Sequence, residues 1–178
     1  MEYKGIVISG KPCSGKSVLS RMLSKEYGWE IYYLGNIWRE RWKALYPNGE
    51  VSFEEYWKNT SDQDNLKINI DAKELMKQKN LIVDSRYTAL YCKDLPYLRI
   101  FLDANLNVRV ERAMRKGDTR TMNQLQKILM DREAAEFMTG LKLFKEDYRS
   151  PKHYHLILDS SNLTIEQEFE LVKANLKV

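Results

Sequence analysis

The chain has 178 residues, 43% of them hydrophobic, enough for one sizeable core and a single domain over residues 1–178. Its formal charge of +4 is a small excess spread along the chain without a basic tail or repeat; it is weak evidence for nucleic acid, suits small phosphorylated ligands equally well and decides nothing alone, and a nucleic-acid partner is not the expectation. Two cysteines without metal-ligand spacing, no leader-like start and no apolar run long enough for a bilayer set the expectation of a soluble, reduced, cytoplasmic protein, monomeric and away from membranes.

The first apolar run, Ile6-Val7-Ile8, is short and β-branched, as a buried parallel strand requires. It leads into Gly10-Lys11-Pro12-Cys13-Ser14-Gly15-Lys16-Ser17, which has the Gly-x-x-x-x-Gly-Lys-Ser spacing of a phosphate-binding loop. Val18, Leu19, Met22 and Leu23 then follow at helical spacing. In such a loop the backbone N–H groups between Gly10 and Val18 curl around phosphate oxygens at the partly positive start of the helix. Lys16 reaches the β- and γ-phosphates and the Ser17 hydroxyl sits on Mg²⁺, so ATP is the expected ligand and Mg²⁺ the expected cofactor. Cys13 reads as a small loop filler, with a thiol activated by the local positive field as the sharper alternative.

Gly28 ends that helix, and Glu30 to Leu34 reads as a second strand. Ile37, Trp38, Trp42 and Leu45 predict a helix over 36–45 that stops at Pro47-Asn48-Gly49. Ser52 and Glu55 form a capping-box signature for another short helix, and 62–79 is amphipathic, so 36–79 is mostly helical. Leu81-Ile82-Val83 and Leu98-Arg99-Ile100-Phe101-Leu102 predict two further core strands, followed by Asp84-Ser85-Arg86 and Asp103-Ala104-Asn105. Functional side chains of open parallel sheets gather at such strand ends. A helix over 106–116 breaks at Gly117-Asp118. Thr121-x-x-Gln124 then caps a long helix reaching toward Tyr148 and ended by Pro151. A strand over 154–158, flanked by His153 and His155 facing solvent or a neighbouring helix, precedes a closing helix opened by Thr164-x-x-Gln167 with Phe169, Leu171 and Val172 inward. Five strands alternating with helices make a parallel α/β sheet.

Asp84 closes an apolar strand and is placed to accept a water of the Mg²⁺ shell, with a turn cap as the alternative. Asp103 reads as the entry to the next helix. Arginines concentrate mid-chain. Arg109, Arg112 and Arg115 recur at three-residue steps, giving one helical face that could close over transferred phosphate or, alternatively, a solvated face paired with Glu111. Arg99, inside a strand pattern, reads as structural.

The phosphate loop, Gly35-Asn36-Ile37-Trp38-Arg39, Val83-Asp84-Ser85-Arg86, Ile100-Phe101-Leu102-Asp103-Ala104 with Arg109 and Arg112, and Asp131-Arg132-Glu133 occur in an order that resembles the nucleoside monophosphate kinases. Within them the chain most resembles cytidylate kinases of the short archaeal type, over nearly its whole length. The resemblance implies a three-layer P-loop NTPase fold with a helical acceptor-binding lobe at 36–79 and a short lid at about 112–132. It implies that Arg39 and Arg86, with Asn36 beside them, hold the acceptor monophosphate, and that Arg132 is a lid arginine. With Arg115 or Arg120, Arg132 would stabilise the transferring group. A second lid arginine, usual seven residues on, is replaced by Thr139, and Lys142, Lys145 or Arg149 are the candidates to supply its charge. The implied activity is ATP-dependent phosphorylation of CMP or dCMP. The alternatives are a P-loop kinase for another nucleotide or small metabolite, and a low-turnover nucleotide-binding regulator.

Overall fold

The structure is a computed structural model that describes residues 2–176, the side chain of Glu54 excepted. Five strands, β1 (Gly5–Gly10), β2 (Glu30–Tyr33), β3 (Leu81–Asp84), β4 (Tyr97–Asp103) and β5 (Leu156–Asp159), form one parallel sheet in the order β2-β3-β1-β4-β5. Every residue of β1 is buried, because helices cover both faces of the sheet. Alternation along the strand sends Ile6 and Ile8 to one face, against Leu19 and Leu23 of α1 (Lys16–Tyr27) and Val172 of α8 (Ile165–Asn175). Val7 points to the other face, into a larger core with Trp38, Ile68, Ala72, Tyr87 and Tyr148. The result is the expected three-layer α/β fold.

On that second face lie α2 (Leu34–Leu45), α3 (Phe53–Lys58) and α4 (Asp62–Gln78), so 36–79 is helical as read from the sequence. Ser52 and Ser61 cap α3 and α4 by accepting from the N–H groups of Glu55 and Asp64. After β3 comes a short helix that the apolar pattern did not reveal, α5 (Thr88–Tyr91). Beyond β4, α6 (Leu106–Arg115) and α7 (Met122–Phe144) pack together, and both predicted boxes, Thr121 with Gln124 and Thr164 with Gln167, are formed. Among the described residues no helix is long and apolar enough to cross a membrane.

Three expectations are corrected. α7 ends at Phe144, not near Tyr148, because Lys145 turns left-handed (φ 58°) and caps it. His153 is buried in a 3₁₀ turn (Pro151–His153) instead of facing solvent, while His155 accepts the Arg99 N–H on Nδ1. On α8 the inward phase runs through Ile165, Glu168, Phe169 and Val172; Leu171 faces solvent, and Glu168 takes the buried position next to Phe169 and Val172.

Candidate active site

The loop from Gly10 to Ser17 joins β1 to α1 at the carboxyl edge of the sheet. Gly10 (φ 147°) is in register with Leu102 of β4, and a Cβ there would collide with the Leu102 carbonyl, so the loop can leave the strand this closely only with glycine. Gly15 (φ 110°) precedes α1 without a side-chain cap, which leaves the first-turn N–H groups for a ligand. Lys16 folds back over the loop, donating from Nζ to the carbonyls of Gly10 and Lys11, each at 2.9 Å. Burial lowers its pKa to about 8, against the attraction of Asp84. Lys11 gives its carbonyl to Lys16 but turns its side chain to Asp103 (3.0 Å) and Glu133 (3.6 Å), and Cys13 packs beside Val110 and Leu125. Val18 is already helical, donating its N–H to Gly15.

Arg109 and Arg112 support this loop from outside instead of closing over a phosphate. Arg109 is buried and donates to the carbonyls of Ala104 (3.0 Å) and Pro12 (3.4 Å) and to Glu133 (2.9 Å). Arg112 donates at 2.8 Å to the Ser14 carbonyl and to both the hydroxyl and carbonyl of Ser160. Only Arg115, paired with Glu111 at 3.5 Å and largely exposed, follows the solvated-face reading.

Opposite the loop, the Ser17 hydroxyl donates to Asp84 Oδ2 at 2.8 Å. Pairing β3 with β1 sets Asp84 level with Ile8, which brings two residues 67 positions apart into contact. A hydroxyl and a carboxylate at the mouth of a phosphate loop are hard oxygen donors that suit Mg²⁺, an ion commonly held by one or two carboxylates, substrate phosphates and water. No group of three His, Cys, Asp or Glu is assembled as a metal site among the described residues.

These groups open onto a cavity of about 350 Å³. Its loop side is formed by Pro12, Cys13, Lys16 and Ser17, with Asp84 between the halves. Its far side is formed by Tyr33, Asn36, Trp38, Arg39, Phe53, Trp57 and Arg86, with Arg132 and Asp131 from α7. Arg39 lies 5.3 Å from the Phe53 ring centroid and donates to the Gly35 carbonyl (3.3 Å) and Asn36 Oδ1 (3.4 Å); Arg86 lies 5.9 Å from the Trp57 ring. Lys16, Ser17, Asp84, Asn36, Arg39, Arg86 and Arg132 are therefore brought together, whereas Arg115 and Arg120 are not. Arg120 is engaged with Asp118 in the loop between α6 and α7.

Thr139 lines a second, smaller cavity of about 160 Å³ that shares Trp57, Lys58, Asn65 and Ala135 with the first. None of the candidate substitutes for an arginine there reaches the main cavity. Lys142 pairs with Asp62 at 2.7 Å, Lys145 caps α7, and Arg149 is held by Asp147 and stacks 4.0 Å from the Phe137 centroid. The cations present instead are Lys58 and Lys116, neither singled out by the sequence.

The largest omission is Glu136, fully buried, whose Oε1 lies 2.5 Å from Arg86 Nε and accepts from Arg132 Nε at 2.8 Å. Four residues after an arginine, it reads as half of an exposed helical pair. The phase of Leu125 and Leu129, continued by Gly140, is the signal that turns it inward.

The family model described as "Cytidylate kinase-like family" matches residues 42–162. Curated cytidylate kinases are similar over nearly the whole chain: that of Pyrococcus abyssi is 30% identical and that of Methanopyrus kandleri 28%, each match covering 95% of this chain and 91% of the relative. Among solved structures, a gluconokinase from Sinorhizobium meliloti (TM-score 0.62, 18% identity, 99% of this chain and 93% of that one) shares the fold. So does an uncharacterized protein from Eubacterium ventriosum (TM-score 0.70, 13% identity, 97% of each chain). With a phosphate loop, an oxygen-donor pair and an arginine-lined cavity in one place, and with these relatives, the chain belongs to the cytidylate kinase-like family of nucleotide kinases.

Proposed function

We propose that the protein transfers the γ-phosphoryl group of ATP to a pyrimidine nucleoside monophosphate, CMP or dCMP, releasing ADP and the nucleoside diphosphate. The observation that carries this reading is the single cavity in which the phosphate loop faces a second half lined by Asn36, Arg39, Arg86 and aromatic rings. Its size lies within the range of small-ligand pockets. The curated relatives named cytidylate kinases support the choice of acceptor.

In the reaction an anionic oxygen of the acceptor phosphate bonds to the γ-phosphorus as the bond to the β–γ bridging oxygen breaks, and ADP keeps that electron pair. The oxygen is already deprotonated at neutral pH, so no general base is required. The residues supply position and charge. Lys16 and the loop amides hold the donor phosphates, Arg39 and Arg86 with Asn36 orient the acceptor, and Arg132 meets the transferring group. Trp38, Phe53 and Trp57 give the acceptor half apolar walls that exclude water. Mg²⁺, held by Ser17 and by Asp84 directly or through water, would neutralise charge on the phosphate oxygens when bound.

A product-resolved assay with ATP and CMP, dCMP, UMP, AMP or GMP tests this. Preferential conversion of CMP or dCMP, abolished in Lys16→Ala, is expected. No diphosphate above the Lys16→Ala background overturns the reading, and tight ATP binding alongside that result identifies a regulator instead of a kinase.

A further inference from the structure

Glu136 has no solvent exposure, a costly position for a carboxylate unless opposite charges meet it. Two do, from different elements: Arg86 follows the end of β3 and Arg132 stands one turn before Glu136 on α7. The contact recorded for each arginine runs from Nε to the same oxygen, Oε1, a hydrogen bond for Arg132 and an ion pair for Arg86, while Oε2 has no hydrogen-bond partner. Both arginines line the cavity and Glu136 does not. The carboxylate therefore stands behind the pair, outside the cavity that both arginines line.

The unit is anchored on both sides. Tyr87, next to Arg86, donates its hydroxyl to the Glu136 carbonyl at 2.7 Å. One turn on, Gly140 lets the rings of Tyr87 and Tyr148 lie against α7, where a Cβ would come within 3.3 and 3.1 Å of them. Burial alone would raise the Glu136 pKa, but Arg86 and then Arg132 outweigh it and hold the carboxyl below its ordinary value, so it stays ionised.

We propose that Glu136 is a positioning residue for phosphoryl transfer: gripping Arg86 and Arg132 by one edge each, it presents their forks to the cavity as one rigid pair, so that acceptor and transferring phosphate meet in register. This rests on reading the cavity as a donor–acceptor site. A purely electrostatic role for Glu136 has the opposite consequence, because deleting a negative charge behind the cavity would strengthen phosphate binding and spare the transfer step.

Glu136→Gln keeps the volume and removes the charge. The expected kcat is about 100-fold lower, the scale of a misplacement of about an ångström, with ATP affinity no weaker than wild type and acceptor KM changed by less than about fivefold. A folded Gln variant with kcat within about threefold of wild type overturns the proposal. Should that variant fail to fold, Glu136→Asp, which keeps the charge on a shorter arm, decides: reduced kcat with unchanged ATP binding supports the proposal and wild-type kcat overturns it. Heteronuclear NMR of the Arg86 and Arg132 Nε–H groups needs no turnover. Both are expected to stay protected from exchange when ATP is bound, and their release on binding overturns the proposal. If the wild-type protein converts none of the five nucleotides, the proposed function falls, and the NMR measurement still judges whether Glu136 holds Arg86 and Arg132 as one pair.

Discussion

Replacing Glu168 by glutamine should stabilise the protein above neutral pH. Glu168 is buried on α8, Oε1 4.0 Å from Arg112 Nη2 and Oε2 without a hydrogen-bond partner, close to where a side chain on Gly15 would begin. Burial pushes the carboxyl from 4.5 up to about 7, and the attraction of Arg112 offsets only part of that. A carboxyl raised on folding contributes stability that is complete below about pH 4.5 and is lost as pH climbs through about 7. Between those values the folded protein keeps a proton that the unfolded chain has released. At about 1.4 kcal/mol per pH unit, the loss accumulates to about 3 kcal/mol by pH 8. Glutamine resembles the protonated acid and escapes this loss. In a chain of this length about 3 kcal/mol corresponds to roughly 6–12 °C in Tm. Thermal melts of wild type and Glu168→Gln should therefore coincide near pH 4.5 and separate by about that interval at pH 8. Equal Tm values at pH 8, or a gap wider at low pH than at high pH, would refute the reasoning.

Phosphates favour the charged form of Lys16, so with its pKa lowered to about 8 by burial, ATP affinity should fall above that pH by up to about tenfold per unit, with proton uptake on binding. Calorimetry in buffers of different ionisation heat measures the uptake, and an affinity flat through pH 9 would contradict it. Asp84→Asn removes the carboxylate beside Ser17, and Mg²⁺-dependent turnover in a Mg²⁺ titration should drop by about 10²–10³ while ATP binding without Mg²⁺ is retained. Arg115→Ala should leave kcat and KM within about threefold, because an exposed pair with Glu111 carries little energy; a loss of about 100-fold would return Arg115 to the site.

The sheet was readable because short apolar runs stood between helical patterns, those of β3 and β4 ending in polar residues, and the carboxyl edge of the sheet is where Lys16, Asp84 and Arg86 meet. The helix starts at Ser52, Thr121 and Thr164 were readable because capping is local chemistry. What was not readable depends on partners distant in sequence. Arg109 and Arg112 carry the same three-residue spacing as Arg115, yet only tertiary packing brings the first two under carbonyls 97 and 98 residues away. His153, Glu136 and Glu168 are polar residues in buried positions, and hydropathy assigns such residues to solvent unless the phase of their apolar neighbours is followed.

The grip of Arg109 and Arg112 on the loop has an effect on the far side of the peptide planes. In a trans peptide the carbonyl of one residue and the N–H of the next point in opposite directions. Fixing the carbonyls of Pro12 and Ser14 outward therefore fixes the N–H groups of Cys13 and Gly15 away from the arginines. Two cations outside the cavity lining would thus decide which way the loop's own dipoles face, acting on phosphate at one remove through rigid amide geometry.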